Sequence, residues 1–167
     1  MRKMTEANLK TAFAGESQAH MKYVAFADQA QREGYPGVGR LFRAIAYAER
    51  VHATNHLRVL GGIGDTASNL AEALGGEHYE NTEMYPAFDA VAKLQGEKGA
   101  VRSIHFALEA EKIHEQMYVE AGESVKAGND IESDSVYVCP VCGHTVTGEA
   151  PDKCPICGAP HDKYIEF

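Results

Sequence analysis

No apolar run in this chain of 167 residues approaches the ~20 residues that cross a bilayer as a helix. The opening residues, Met1 to Thr5, lack the basic-then-apolar order of a secretory leader. The expectation is therefore a soluble cytoplasmic protein with no membrane partner. Positive charge is also scarce. Lys and Arg number 16 against 24 Asp and Glu, a formal net charge of -8. That balance argues against general nucleic-acid binding. There is no Gly-x-Gly-x-x-Gly, so no direct NADH site is expected. Cysteine is missing until Cys139, and all four cysteines fall between Cys139 and Cys157. Such clustering reads as a metal knuckle and not as a secreted disulfide framework.

What is present centres on Glu49-Arg50-Val51-His52 and its loose repeat Glu111-Lys112-Ile113-His114. Residues three apart on an α-helix share a face. A carboxylate and an imidazole at that spacing can hold one metal centre from one helix. Di-iron and di-manganese bundles use two such helices, plus one Glu from each of two more. Glu16 precedes Glu49 by 33 residues, and Glu77 precedes Glu111 by 34. Two helical hairpins, each with Glu on its first helix and Glu-x-x-His on its second, make a duplicated metal site. Glu80 has no counterpart in the first hairpin, where Ala19 stands. At ~100° per residue it lies only ~60° around the helix from Glu77, so both can face inward. The inventory is Glu16, Glu49, His52, Glu77, Glu80, Glu111 and His114, enough for two ions. Oxygen-rich ligation with one or two imidazoles suits iron or manganese better than zinc or copper. A single Glu-x-x-His would be weak evidence, because glutamate is common on helix surfaces. His20 and His56 sit one turn beyond the ligand layer, His78 reads as off the face, and His105 as a packed or surface residue.

Taken in order, a first helix is expected from an N-cap at Thr5 to about residue 33, and a second over about 38–60, ended by Gly61-Gly62. A third opens near residues 66–69 and reaches about 95, with a kink at Pro86. A fourth covers about 97–126. Four helices of this length make a bundle over 1–128, followed by a polar linker over 129–135 and a small β module over 136–167 that opens on the strand Val136-Tyr137-Val138.

That module carries Cys139-Pro140-Val141-Cys142-Gly143 and Cys154-Pro155-Ile156-Cys157-Gly158, matched knuckles separated by 11 residues. Glycine lets each loop turn tightly enough to aim backbone N–H groups at sulfur. Four thiolates take zinc or a single iron. Alone, the module reads as a structural zinc ribbon. Beside a di-iron site, iron is the better assignment, because Fe(Cys)4 passes single electrons.

These residues resemble the rubrerythrin family over nearly the whole chain. The resemblance rests on Ala12-Phe13-Ala14-Gly15-Glu16-Ser17-Gln18-Ala19, on Gly76-Glu77-His78-Tyr79-Glu80-Asn81-Thr82-Glu83-Met84-Tyr85-Pro86 and on the two knuckles. It implies a mainly α fold: a ferritin-like four-helix bundle followed by a rubredoxin-like domain. It implies that Glu49 and Glu111 bridge two irons, that Glu16 and Glu77 are terminal ligands, and that His114 serves the second iron. Glu80 and His52 would alternate on the first iron. Tyr23 and Tyr85 match tyrosines that support the ligands, and Cys139, Cys142, Cys154 and Cys157 match the Fe(Cys)4 ligands. The implied activity is a peroxidase that reduces hydrogen peroxide to water. Its own Fe(Cys)4 site would relay electrons from rubredoxin or an NADH-dependent flavoprotein. The alternatives are a ferroxidase or iron-storage protein, and a non-enzymatic metal-binding protein with a zinc ribbon.

One departure concerns topology. In a ferritin-like bundle, helices two and three run the same way with Glu49 and Glu77 level. Helix two continues ~16 Å beyond Glu49, and helix three climbs ~15 Å to Glu77. A connection inside one bundle must then return ~30 Å, whereas seven extended steps reach at most ~25 Å. Helix three could start late at Gly75-Gly76, the bundle could run up-down-up-down, or two chains could exchange hairpins in a homodimer. The exchange is the expectation, because 68–74 reads as helix and the ligand set fits the family's topology.

Overall fold

The computed structural model describes residues 1–131 and 135–167. It forms two compact units, Met1–Gly64 and Asp65–Phe167. Part of the polar linker expected over 129–135 lies outside the described residues.

The first unit is a helical hairpin of α1 (Lys3–Arg32) and α2 (Pro36–Leu60). Helix α1 begins at Lys3 and not after a Thr5 cap. Its N-cap is Arg2, whose side chain makes no capping hydrogen bond. Water can satisfy the first N–H groups of such an exposed end. Helix α2 also starts earlier than expected, at Pro36, because proline's fixed φ and missing N–H suit the first turn. It ends at Gly61, whose φ of 76° is left-handed. The two helices bury small residues against each other: Ala27 and Ala30 on α1, Gly39, Ala46 and Ala53 on α2. A Cβ at Gly39 would lie 3.1 Å from the Ala27 carbonyl oxygen, so the backbones are close there. Larger apolar side chains stay open, with Phe26 46% and Leu41 59% exposed. A hairpin buries only one stripe of each helix, and apolar surface beyond that stripe calls for further helices.

The second unit opens with α3 (Thr66–Tyr79). Asp65 caps it, its Oδ1 accepting from the Ser68 N–H at 2.8 Å. The helix runs unbroken through Gly75-Gly76, which closes the late-start route for the connection. A π-helical turn over Glu80–Met84 follows, with the Tyr85 N–H bonded to the Glu80 carbonyl, and then α4 (Tyr85–Gln95). The kink expected at Pro86 is thus resolved as a π turn. Pro86 falls in the first turn of α4, where its missing N–H costs little. Helix α5 (Lys98–Lys126) packs along both α3 and α4. After it come β1 (Val136–Val138), β2 (Thr145–Thr147) and β3 (Ile165–Glu166), with β1 central and both neighbours antiparallel. Four long helical segments and a small β module match the expected architecture. Among the described residues no helix is long and apolar enough to cross a membrane.

Candidate metal centres

The helices gather the glutamates and histidines into two triads, one in each unit. In the first hairpin, ligand atoms of Glu16, Glu49 and His52 all lie within 4.8 Å of one another. Glu49 Oε2 is 3.0 Å from His52 Nδ1, the contact that Glu-x-x-His spacing dictates. The carboxyl groups of Glu16 and Glu49 face each other. Their interaction raises the Glu16 carboxyl above its ordinary value and lowers Glu49, which His52 also favours in its charged form.

In the second unit, ligand atoms of Glu77, Glu111 and His114 lie within the same 4.8 Å. Glu111 Oε2 is 2.5 Å from His114 Nδ1. Burial, then the neighbouring Glu111 carboxylate, push Glu77 up to about 7. Glu80 stands next to this triad. Burial and the Glu111 charge raise its carboxyl, while His114 lowers it. Tyr85 feels the same cluster, its hydroxyl kept protonated by burial and by Glu80, Glu111 and Glu77.

Both triads fit a cation. Glu77 Oε2 is fully buried and has no hydrogen-bond partner, beside the carboxylate of Glu111. Burying an unpaired carboxylate oxygen next to another carboxylate is costly unless a positive charge is shared between them. Of the seven residues expected as ligands, six fall within the two triads and Glu80 stands beside the second.

The cysteine module is equally organised. Cys139 Sγ and Cys157 Sγ are 3.6 Å apart, and Cys142 Sγ and Cys154 Sγ 3.4 Å. A tetrahedron with metal–sulfur bonds of ~2.3 Å has edges of ~3.8 Å, so the sulfurs are already near ligand spacing. The knuckles repeat one another. Gly143 N–H donates to the Cys139 carbonyl and Gly158 N–H to the Cys154 carbonyl, each at 2.9 Å. Gly143 and Gly158 have φ of 83° and 78°, which explains the glycine after each Cys-Pro-x-Cys. Burial works against ionising Cys154, but the Tyr164 hydroxyl and the Cys157 and Ile156 N–H groups outweigh it, bringing the thiol down to about 6. Cys142, by contrast, is pushed up by burial.

Several neighbours were not legible in the sequence. His78, read as off the face, pairs its Nδ1 with Glu115 Oε1 at 2.8 Å, and Asn81 Nδ2 donates to Glu115 Oε2 at 2.6 Å. These contacts tie the π turn to α5 beside the ligands. Buried His144 is no ligand; its Nδ1 lies 2.9 Å from the Tyr164 hydroxyl. His20 donates from Nδ1 to the Ala46 carbonyl at 2.8 Å, an ordinary helix-to-helix contact. Tyr23 stacks loosely with Phe26 and Phe42.

Two carboxylate–histidine triads on helical hairpins, followed by a four-cysteine knuckle module, define a class: ferritin-like metal helices joined to a rubredoxin-like domain. The chain belongs to the rubrerythrin family. The family profile for rubrerythrin matches residues 7–121, and that for the rubrerythrin rubredoxin-like domain matches residues 137–165. The chain is 43% identical to rubrerythrin-2 of Clostridium acetobutylicum, over 98% of this chain and 97% of that one. It is 37% identical to nigerythrin of Nitratidesulfovibrio vulgaris, over 96% and 85%. The structure of partially reduced nigerythrin superimposes with a TM-score of 0.59 at 35% identity, covering 98% of this chain and 86% of that one. Membership makes this an iron-dependent oxidoreductase of oxidative-stress protection, with carboxylate–histidine iron sites and a four-cysteine site.

Proposed function

We propose that the protein is a cytoplasmic peroxidase that reduces hydrogen peroxide to water, with electrons relayed through its own four-cysteine iron. The observation that carries this reading is the pairing of two carboxylate–histidine triads with a cysteine module in one chain. Storage of iron has no use for the cysteine module. The functional domains on this reading are 1–128 for the di-iron helices, 129–135 for the linker and 136–167 for the rubredoxin-like domain.

Bound iron would supply the electrons, two for each peroxide from the helical site and one at a time from the cysteine site. The chain's residues do the rest. Glu16, Glu49, His52, Glu77, Glu80, Glu111 and His114 would hold the pair; on the family's pattern Glu49 and Glu111 would serve both ions, and Glu80 and His52 would serve in alternation. Each carboxylate neutralises charge, and each has a second oxygen with which to adjust as that charge changes. Peroxide reduction consumes two protons per two electrons. The Tyr85 hydroxyl, kept protonated among Glu77, Glu80 and Glu111, is a donor beside the site. The family resemblance gives Tyr23 the matching place in the first hairpin. Cys139, Cys142, Cys154 and Cys157 hold the relay iron, and its donor is a rubredoxin or an NADH-dependent flavoprotein.

The working form is a homodimer that exchanges hairpins. Each triad lies within one compact unit, and α2 ends at Leu60 only a few residues before α3 starts at Thr66. That connection is too short for the return that a same-chain bundle of the family's topology requires. The test is a coupled assay on natively purified protein: hydrogen peroxide as substrate, with rubredoxin and its NADH-linked reductase as donor. Donor-dependent peroxide consumption supports the reading. A large hollow assembly by size exclusion, with ferrous oxidation and no peroxide turnover, would replace it with iron storage.

A further inference from the structure

The two histidines of the triads are held differently. His114 uses both ring nitrogens: Nδ1 faces Glu111 Oε2, and Nε2 lies 2.8 Å from Thr145 Oγ1 in the cysteine module. Thr145 Oγ1 in turn donates to the Gly143 carbonyl at 3.0 Å. A threonine hydroxyl has one proton, and a carbonyl can only accept. With that proton on Gly143, the oxygen can only accept from His114, so Nε2 carries hydrogen. The lone pair of the neutral ring is then on Nδ1, pointing at Glu111 and the triad. His52, the counterpart, has a side chain 54% exposed. Among the described residues of the helices, His114 is the histidine whose ring bonds the cysteine module.

The contact belongs to a docked surface. Phe106, Ala110 and His114 are four residues apart along α5 and so share one face. Phe106 packs on the buried cysteine cluster. Ala110 is 2% exposed, and a Cβ on Gly143 would lie 3.7 Å from its own Cβ. Thr145 is also fixed from the other side. It pairs with Val138 in the ladder, directly before Cys139. Its place therefore follows from the knuckle, and the knuckle's from whatever ion the cysteines hold.

We propose that Thr145 is a positioning residue for the Glu77–Glu111–His114 triad. Its hydroxyl holds the His114 ring with Nε2 protonated and Nδ1 free for metal, so the cysteine module helps set the metal affinity of the helical site it serves. The proposal rests on the metal-binding reading of the triads and adds a coupling to it. That coupling is reciprocal: an ion in the triad favours the docked module, and a docked module favours the ion.

The test compares full-length wild type with Thr145→Val, which keeps the shape but removes the hydroxyl, and with Thr145→Ser, which keeps the hydroxyl. The cysteine site stays loaded in all three, and its visible absorption confirms that the module is folded. Zinc(II) is titrated calorimetrically into the emptied helical sites, and nitrogen-15 NMR of the zinc-loaded protein reads the His114 tautomer. Thr145→Val is expected to weaken one zinc step on the order of 10- to 100-fold. The other step should be unchanged, and the exchange-protected Nε2 proton should be lost. Thr145→Ser is expected to stay within a few-fold of wild type. Unchanged affinities in both variants would overturn the proposal alone, as would equal losses in both or a wild-type His114 protonated on Nδ1. Wild-type helices that take up no zinc would overturn the metal reading and the proposal with it.

Discussion

Glu111 Oε2 lies 2.5 Å from Nδ1 of His114, one turn further along α5. A carboxylate oxygen and an imidazole nitrogen this close need a proton or a cation between them. The same pair, with Glu77 beside it, is where the helical site should be most sensitive to substitution. Glu111→Ala, and Glu49→Ala in the other hairpin, should abolish iron in the helical site together with peroxide turnover, while the colour of the cysteine site persists. Metal analysis and visible absorption read both at once. Tyr85→Phe should be milder, on the order of 10- to 100-fold in activity.

The buried glutamate predicts a pH dependence in metal-free protein. Glu77 is raised from 4.5 to about 7 by burial and by Glu111. Between those values the folded state binds more protons than the unfolded state, so stability falls as pH rises. The contribution is complete below the ordinary carboxyl pKa and is lost as pH passes about 7. Glu77→Gln, uncharged throughout, should therefore flatten the pH profile of the melting temperature in chelator-treated protein. Thermal denaturation at about pH 5 and about pH 8 checks this, and equal slopes for the two proteins would contradict it.

Removing one cysteine separates folding from electron delivery. Cys142→Ser should destroy the four-cysteine iron site and leave α1 to α5 folded by circular dichroism. Turnover with a rubredoxin-type donor should stop. Steady-state activity at the wild-type rate would mean that the module is structural only.

Exchange of hairpins is testable by complementation. Glu49→Ala damages the triad in the first unit, and Glu111→Ala the one in the second. If each complete site joins the first unit of one chain to the second unit of another, refolding the two inactive variants together should regenerate some intact sites. Iron content and peroxide turnover in the mixture, against either variant alone, measure the gain. A mixture no better than its components would count against exchange.

How much of this was legible beforehand divides along the range of the interactions. The Glu-x-x-His pairs, the partner glutamates and the knuckles were readable because each depends on local geometry: three residues make a helical face, and Cys-Pro-x-Cys-Gly makes a turn whose glycine needs a left-handed φ. The helix starts were misplaced, the first by three residues (an N-cap at Thr5 and not Arg2) and the second by two (a start at 38 and not Pro36). The exposed first turn after Arg2 is satisfied by water, and that leaves little in the sequence to mark it, whereas Pro36 is itself a first-turn signal. The π turn at Glu80 was hidden too, since Pro86 announces only that something must yield. What the tertiary structure alone decided is which distant residues meet. Glu115 reaches back to His78 and Asn81, and Thr145 reaches His114 across 31 residues. No periodicity encodes such contacts, because they arise only when the π turn and the knuckle come to rest against α5. The sequence thus determined the candidate ligands, and the packing determined which distant residues meet them.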